Sequence, residues 1–280
     1  MFETCINEVA HSAVRAPLPV IQNIDLKFVH SDRIISDDSR LRSDLKLAKA
    51  VQRQMLPRNT KQLTTITYAG TSSAAWGIGG DYYDFLDLGH SLLGFLLGDV
   101  SGKGVAAALL MANLQASVRC ECARGFDDLG STIQRVNAHF YASTLPAQYA
   151  TLFFGRYDDR TRRLDYINCS QQPAIIQRGD RSIERLETTA LPLGMVRDWA
   201  GEKKTVHLQR GDSLFVCSDG VIEAGLENGY EFGEEGLISV IAANSDQDVE
   251  LAVERIAHAA RLYVPNGPAD DMTIAGMRAV

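Results

Sequence analysis

The chain has 280 residues, of which 45% are hydrophobic and 22% are charged, and its formal net charge is −7. This composition is typical of a globular protein with a full apolar core. A nucleic-acid backbone or an anionic membrane surface requires a clustered positive face, and the sequence has no block of Lys and Arg. We therefore expect neither nucleic acid nor a membrane among the partners.

Targeting signals and disulfide patterns are not apparent in the sequence. The longest wholly apolar run, VAAALLMA, has eight residues, whereas about 18 are needed to suggest a membrane-spanning helix. The N-terminal residues MFETCINEVAHSAVRAP lack a basic region followed by an apolar stretch, so we expect a cytoplasmic protein. The five cysteines are odd in number and lack zinc-ligand spacing, which predicts reduced, mostly buried thiols.

Three parts of the chain differ in pattern. Residues 1–35 show no sustained periodicity and form an N-terminal extension of unknown role. Residues 36–58 predict a linker or switch helix, with capping residues at the start, apolar residues from Leu41 to Met55 and Pro57 as a stop. This helix either packs on the following domain or pairs with a second chain through residues 41–56, which would give a homodimer.

Residues 59–280 carry the pattern of one α+β domain. Helical periodicity appears at about 105–122, 129–142 and 248–264. Short β-like runs separated by turn residues occupy much of the rest. Because the strands follow one another in hairpins and the helices are grouped between them, we expect a layered sandwich and no βαβ repeat. The main runs are TITYAG, DYYDFLDL, SLLGFLLGDV, ATLFFGRYD, RLDYINCS, AIIQRGD, KTVHLQRGD and SLFVCSDG.

Aspartates stand at the ends of several predicted strands. Asp81 opens DYYDFLDL, Asp99 closes SLLGFLLG, Asp219 follows SLFVCS, and Asp270 with Asp271 precedes MTIAGM. The first two lie on a predicted hairpin, so the start of one strand meets the end of its neighbour and their carboxylates come together. Since Gly-Asp pairs favour turns, each pair taken alone indicates a turn more strongly than a site, and only the number of aspartates at strand ends favours a site.

Four or five carboxylates at one edge would repel one another unless protons or cations neutralised them. Hard divalent ions, Mg²⁺ or Mn²⁺, match such oxygen ligands, and the carbonyl of Val100 is a further candidate. Two such ions about 3.5 to 4 Å apart activate water and hold both oxygens of an in-line displacement at phosphorus. The six histidines are scattered along the chain, and no convincing Ser/His/Asp or Cys/His group is present.

Four motifs, in this order and spacing, resemble the bacterial SpoIIE/RsbU branch of the PP2C-like (PPM) metal-dependent serine/threonine phosphatases. They are GGDYYDF, GDVSGKGVAAALLMA, LQRGDSLFVCSDGVIEA and DDMTIAG, and the similarity covers about residues 41–280. It implies an αββα sandwich with two antiparallel sheets flanked by helices. It also implies hydrolysis of phosphoserine or phosphothreonine on a partner, commonly a STAS-domain anti-sigma factor antagonist. The helix LKLAKAVQRQMLP resembles one that transmits activation in this family, so we expect an upstream activator or sensor protein.

The resemblance further implies a centre for two Mn²⁺ or Mg²⁺ ions. By motif, the resemblance implies that Asp81 binds one ion and that Asp99 bridges both ions. The carbonyl of Val100 adds a ligand. Asp219 and Asp270 complete the site, with the adjacent Asp271 as the alternative to Asp270.

Two positions depart from the family pattern. Where relatives often read N-A-G-H-x-P, this chain reads NCSQQP, so Ser170 and Gln171 replace Gly and His. We expect activity to survive because that His is not a metal ligand, whereas substrate contacts are open to change. Ser101 occupies the place of a general-acid His of many eukaryotic relatives, which leaves protonation of the departing oxygen to water or another group.

Two of the motifs resemble nucleotide-binding sequences, and a non-enzymatic function is a third alternative. GDVSGKG differs from the phosphate-binding P-loop, because only three residues lie between Gly98 and Gly102 where four are required, and Gly104 replaces the hydroxyl residue after Lys103. GGDYY departs from the GGDEF motif of diguanylate cyclases at Tyr82. The remaining alternative is a phosphatase-like fold that acts as a regulatory binding scaffold without catalysis, against which the full set of ligand carboxylates argues.

Overall fold

The computed structural model describes residues 34–57, 63–124 and 128–280. Its strands are β1 (Ile66–Ser73), β2 (Tyr82–Asp87), β3 (Leu92–Val100), β4 (Ala150–Asp158), β5 (Arg163–Cys169), β6 (Ala174–Gln177), β7 (Ile183–Leu186), β8 (Lys204–His207), β9 (Ser213–Cys217) and β10 (Met272–Ala279). Its helices are α1 (Ile34–Met55), α2 (Gly104–Ala123), α3 (Leu129–Ser143), α4 (Asp219–Ile222), α5 (Gly233–Ala243) and α6 (Val249–Arg261), with a 3-10 turn at Leu226–Asn228.

The chain divides into two units, residues 1–44 and 45–280, with the boundary inside α1. In the first unit the described residues are helical from Ile34, two residues before the predicted start of the switch helix. Most of the predicted N-terminal extension, residues 1–33, lies outside the described residues, as does the beginning of the third predicted part at 59–62. In the second unit α1 continues to Met55, and Pro57 follows closely, as the stop signal predicted.

Two antiparallel five-stranded sheets form the centre of the second unit. The first sheet has the order β1-β10-β9-β6-β7, and the second has the order β2-β3-β4-β5-β8. Every pairing between named strands is antiparallel. The predicted α+β sandwich is therefore confirmed, and the βαβ alternative is excluded for the described residues.

Strand β3 shows why its sequence is an almost continuous apolar run. Leu93, Phe95 and Leu97 point into the core between the two sheets, whereas Leu96 and Val100 face a second core beneath the helices. Successive side chains on a strand point to opposite faces, so a strand covered on both faces needs apolar residues at nearly every position.

Helices cover the outer faces of both sheets. Helices α2 and α3 pack on the second sheet through a cluster that includes Leu114 and Phe140. Helices α5 and α6 pack on the first sheet through a cluster that includes Ile241 and Ile256. This arrangement gives the αββα layers, and none of the helices described here has the length and apolarity needed to cross a bilayer.

The four described cysteines are not paired with one another. Cys169 and Cys217 are buried, Cys122 is half-buried and Cys120 is exposed. Cys5 lies outside the described residues. Burial raises the pKa of the Cys122 thiol to about 12, which keeps it protonated and unreactive at neutral pH.

Candidate metal centre

The β2–β3 hairpin brings the first two predicted ligands together. Tyr82 pairs with Gly98 in antiparallel register, which places Asp81 opposite Asp99. The backbone N–H of Val100 donates to the carbonyl of Gly80 at 3.3 Å and extends the pairing. Burial raises the pKa of Asp81 well above its ordinary value, and the neighbouring Asp99 raises it further. The two carboxylates therefore share one electrostatic environment, as the hairpin predicted.

The neighbouring strands β9 and β10 bring the later aspartates to the same region. Cys217 pairs with Ile274, so the end of β9 meets the start of β10. The Ser218 hydroxyl donates to the carbonyl of Asp271 at 3.1 Å and locks the two strand ends together. Asp219 begins α4 immediately afterwards, and its pKa is raised by burial and then by Asp270.

The two sheets meet at Asp99. Burial raises the pKa of Asp99 to about 8, and the negative charges of Asp219, Asp270 and Asp271 contribute to this shift. Asp99 belongs to the second sheet, whereas the other three follow or precede strands of the first sheet. The structure therefore gathers all five predicted aspartates into one acidic cluster at the edge of the sandwich.

Both carboxylate oxygens of Asp271 accept hydrogen bonds from backbone N–H groups. Its Oδ1 accepts from the N–H of Ala75 at 2.9 Å, and its Oδ2 accepts from the N–H of Gly80 at 2.8 Å. A Cβ on Gly79 would lie 1.6 Å from Oδ2 of Asp271, so only glycine permits this close approach. Asp271 thus holds the loop that leads into Asp81.

Asp270 faces the opposite direction and is more exposed. Its Oδ2 lies 2.7 Å from Nζ of Lys103, which also donates to the carbonyl of Ala269 at 2.9 Å. The hydrogen bond to Asp270 raises the pKa of Lys103. The sequence pattern did not predict a role for Lys103 in the site, although the GKG segment places this residue between Asp99 and the start of α2.

The residues fit a hard divalent cation in their chemistry. All the side-chain donors are carboxylate oxygens, and Oδ2 of the buried Asp81 has no hydrogen-bond partner within the described structure. The carbonyl of Val100 faces Gly80, where a Cβ would lie 2.6 Å from that oxygen. Among the residues described, no three His, Cys, Asp or Glu side chains already stand as a ready-made metal-binding group. Asp270 is turned toward Lys103 and Asp271 toward backbone amides, which accounts for this.

The NCSQQP segment contains a glutamine, Gln171, whose side chain forms hydrogen bonds to both sheets near the acidic cluster. Ser170 adopts φ 57°, a left-handed conformation that glycine adopts more readily than serine. Gln171 is buried, and its Nε2 donates to the carbonyl of Cys217 at 3.1 Å. Its Oε1 accepts from the hydroxyl of Thr151, the residue that pairs with Asp99. Gln171 therefore ties the strand end before Asp219 to the strand beside Asp99.

These features define an αββα sandwich of the PP2C-like class with an acidic cluster where the two sheets meet. Residues 90–280 match the family described as Stage II sporulation protein E (SpoIIE), and the chain belongs to this family.

Three comparisons illustrate the relationship. Phosphoserine phosphatase RsbU of Bacillus subtilis is 26% identical over 191 residues, which cover 68% of this chain and 56% of RsbU. The SiaA-PP2C domain of Pseudomonas aeruginosa has a similar fold, with a TM-score of 0.76 and 20% identity over 88% of this chain and 99% of that domain. The catalytic domain of the serine/threonine phosphatase PstP, solved with two manganese ions, has a TM-score of 0.59 and 16% identity over 77% and 99% of the respective chains.

The chain spans between 26% and 56% of the length of the curated relatives that it matches.

Replacing Gln171 with Ala removes both hydrogen bonds of the bridge and leaves a cavity. We expect the free energy of unfolding to fall by about 2 to 4 kcal/mol, measured by urea denaturation. The neighbouring, half-buried Gln172→Ala is the control, with an expected change of about 0.5 kcal/mol or less. Equal losses in the two variants would show that the bridge adds no specific stability.

Proposed function

We propose that this protein is a metal-dependent serine/threonine phosphatase that hydrolyses phosphoserine or phosphothreonine on a regulatory partner protein. The observation that carries the proposal is the acidic cluster, in which burial and mutual repulsion raise the pKa values of Asp81, Asp99 and Asp219. Such a cluster is poorly stable as bare anions and is well suited to two divalent cations. The similarity to RsbU and to the manganese-containing PstP fold supports the same assignment.

The ions would be Mn²⁺ or Mg²⁺, held by Asp81, Asp99, Asp219, Asp270 and the carbonyl of Val100. Bound ions of this kind supply an activated water and neutralise charge on the phosphoryl oxygens. We prefer Asp270 to Asp271 as the ligand because both oxygens of Asp271 already accept backbone N–H groups. Lys103 gives Asp270 a counter-charge, and a cation held by Asp270 would compete with this contact.

Ser101 is a poor candidate for the general acid. Its Oγ accepts from the N–H of Tyr149 at 3.0 Å, and its own N–H donates to the carbonyl of Tyr149 at 2.9 Å. A serine hydroxyl so fixed positions the loop after Asp99 and is too weak an acid to protonate a leaving alkoxide. Solvent water is therefore the proposed proton source for the departing serine or threonine oxygen.

The proposed substrate is a phosphorylated STAS-domain anti-sigma factor antagonist. The resemblance to the SpoIIE/RsbU branch and the similarity to RsbU support this choice. The acidic surface charge of the chain favours a partner with basic or neutral residues near its phosphorylated serine.

Helix α1 is the proposed regulatory element because it contacts the metal-ligand loop directly. Nε2 of Gln52 donates to the carbonyl of Gly79 at 2.7 Å, and the N–H of Gly79 donates to Oε1 of Gln52 at 3.1 Å. Gly79 lies two residues before Asp81, so the position of α1 bears on the backbone that presents this ligand. An upstream activator that docks or releases α1 would thereby alter the site.

The same helix retains an apolar surface that could pair with a second chain. Leu47 and Val51 are 63% and 62% exposed and lie one turn apart on α1. Gln52 contacts the domain while these two residues face solvent. Docking and homodimer formation through residues 41–56 are therefore compatible proposals.

Phosphate release tests the enzymatic proposal. With a phosphoserine protein substrate, we expect release in Mn²⁺, none in EDTA, and a loss of at least about 10²-fold in Asp219→Asn because a ligand charge is removed. Asp180→Asn, the same change in a remote turn, should retain activity.

The scaffold alternative makes the opposite prediction. A folded protein that binds Mn²⁺ but releases no phosphate from any phosphoserine substrate, and whose biological effect survives Asp219→Asn, would establish a binding scaffold and exclude the phosphatase.

The contact between α1 and Gly79 is tested by Gln52→Ala. Loss of two hydrogen bonds should lower phosphate release by about tenfold and raise the Mn²⁺ concentration for half-maximal activity. The exposed Gln54→Ala on the same helix should behave as the parent protein. If removal of residues 1–56 left both turnover and the mass in solution unchanged, neither the regulatory nor the dimer proposal would stand.

A further inference from the structure

A cleft of about 260 Å³ lies between α1 and the first sheet. Helix α1 contributes Lys49, Gln52, Arg53 and Leu56, which are spaced as one face of a helix. Arg261, the last residue of α6, lines the cleft as well. Three cationic side chains from two helices therefore share one concave space.

No carboxylate among the described residues forms an ion pair with these cations, although Asp81 and Asp271 also line the cleft. Within the described residues, Lys49, Arg53 and Arg261 form no salt bridge. The chain has 35 acidic and 28 basic residues, so counter-charges are in excess overall. All three side chains are exposed, so solvent screens their mutual repulsion, and an anion among them would connect α1 to the domain through ion pairs.

The wall formed by β1 adds neutral hydrogen-bond donors. Thr71, Ser72 and Ser73 line the cleft opposite the cations. The Oγ of Ser72 accepts from the hydroxyl of Thr273 at 2.8 Å, so the Ser72 hydrogen is available for another acceptor. Cationic groups combined with hydroxyl donors are suited to an anion with several oxygens.

We propose that this cleft binds an oxyanion of the phosphate class and that the bound anion holds α1 against the domain. An arginine guanidinium presents paired N–H donors that match phosphate oxygens, and Lys49 adds a point charge. Asp81 and Asp271 also line the cleft, and their negative charge favours a position for the anion near the helices. The proposed anion site adjoins the candidate metal ligand Asp81, but binding of the anion there requires no metal ion.

Two sources of such an anion are distinguished by experiment. Free inorganic phosphate would be a product of the proposed reaction, whereas a phosphate monoester would be a separate small-molecule signal. Both share the oxyanion that Arg53 and Arg261 recognise. Inorganic phosphate and glycerol phosphate are therefore titrated separately, and the tighter binder identifies the source.

Calorimetric titration of the full chain in EDTA tests the proposal, because phosphate cannot then bind through metal ions. We expect saturable binding of inorganic phosphate or glycerol phosphate at constant ionic strength. Arg53→Ala and Arg261→Ala should each weaken binding by about tenfold. Lys46→Ala, which removes an exposed charge of α1 outside the cleft, should leave the affinity unchanged.

Helix docking gives a second measurement. Saturating phosphate should slow hydrogen exchange of the amides at 48–55 in the parent protein and in Lys46→Ala, but not in Arg53→Ala. Absence of binding in EDTA, or equal binding by the cleft variants and Lys46→Ala, would overturn the proposal. Phosphate binding in EDTA, combined with no phosphatase activity in a separate assay with Mn²⁺, would support the cleft and count against the catalytic proposal alone.

Discussion

Mutual repulsion among buried carboxylates is the constraint on which the rest of this structure depends. The β2–β3 hairpin places Asp81 opposite Asp99, and the β9 and β10 strand ends add Asp219 and Asp270. The pKa of Asp99 rises to about 8 through burial and through these neighbours. A fold that accepts this cost without a function would be unusual, and cations relieve it directly.

The surrounding contacts fix the backbone rather than neutralise the cluster. Asp271 holds the loop before Asp81 by two backbone N–H groups, and Gly79 provides the space for that contact. Gln171 joins the two sheets beneath the ligand strands, and Gln52 clamps the peptide of Gly79 from α1. Stability, metal binding and the position of α1 are thus linked through short backbone segments at one edge.

The sequence predicted most strands, and the proximity of the five aspartates, from local rules of strand patterning and hairpin pairing. Two-sided burial produced the apolar run of β3, and the hairpin placed Asp81 beside Asp99. Strand β7, with the sequence IERL, was missed because it is a short edge strand with two exposed charged residues. Helix α5 was missed because it begins among glycines and buries only Leu237 and Ile241.

The site details that the sequence did not predict depend on distant pairs. Nothing local to Lys103 indicates its contact with Asp270, which lies 167 positions later. The internal bridge of Gln171 likewise depends on Thr151 and Cys217 from two different sheets. Adjacent aspartates at 270 and 271 have similar sequence surroundings, and only their contacts distinguish a backbone anchor from a candidate ligand.

The most direct test of the central claim is to count and locate Mn²⁺ in the protein. Titration calorimetry gives the number of ions, and anomalous diffraction at the manganese edge locates them in crystals. We predict two ions among Asp81, Asp99, Asp219 and Asp270, with Asp271 still bonded to its backbone partners. A folded protein that binds no Mn²⁺ at this edge would contradict the account.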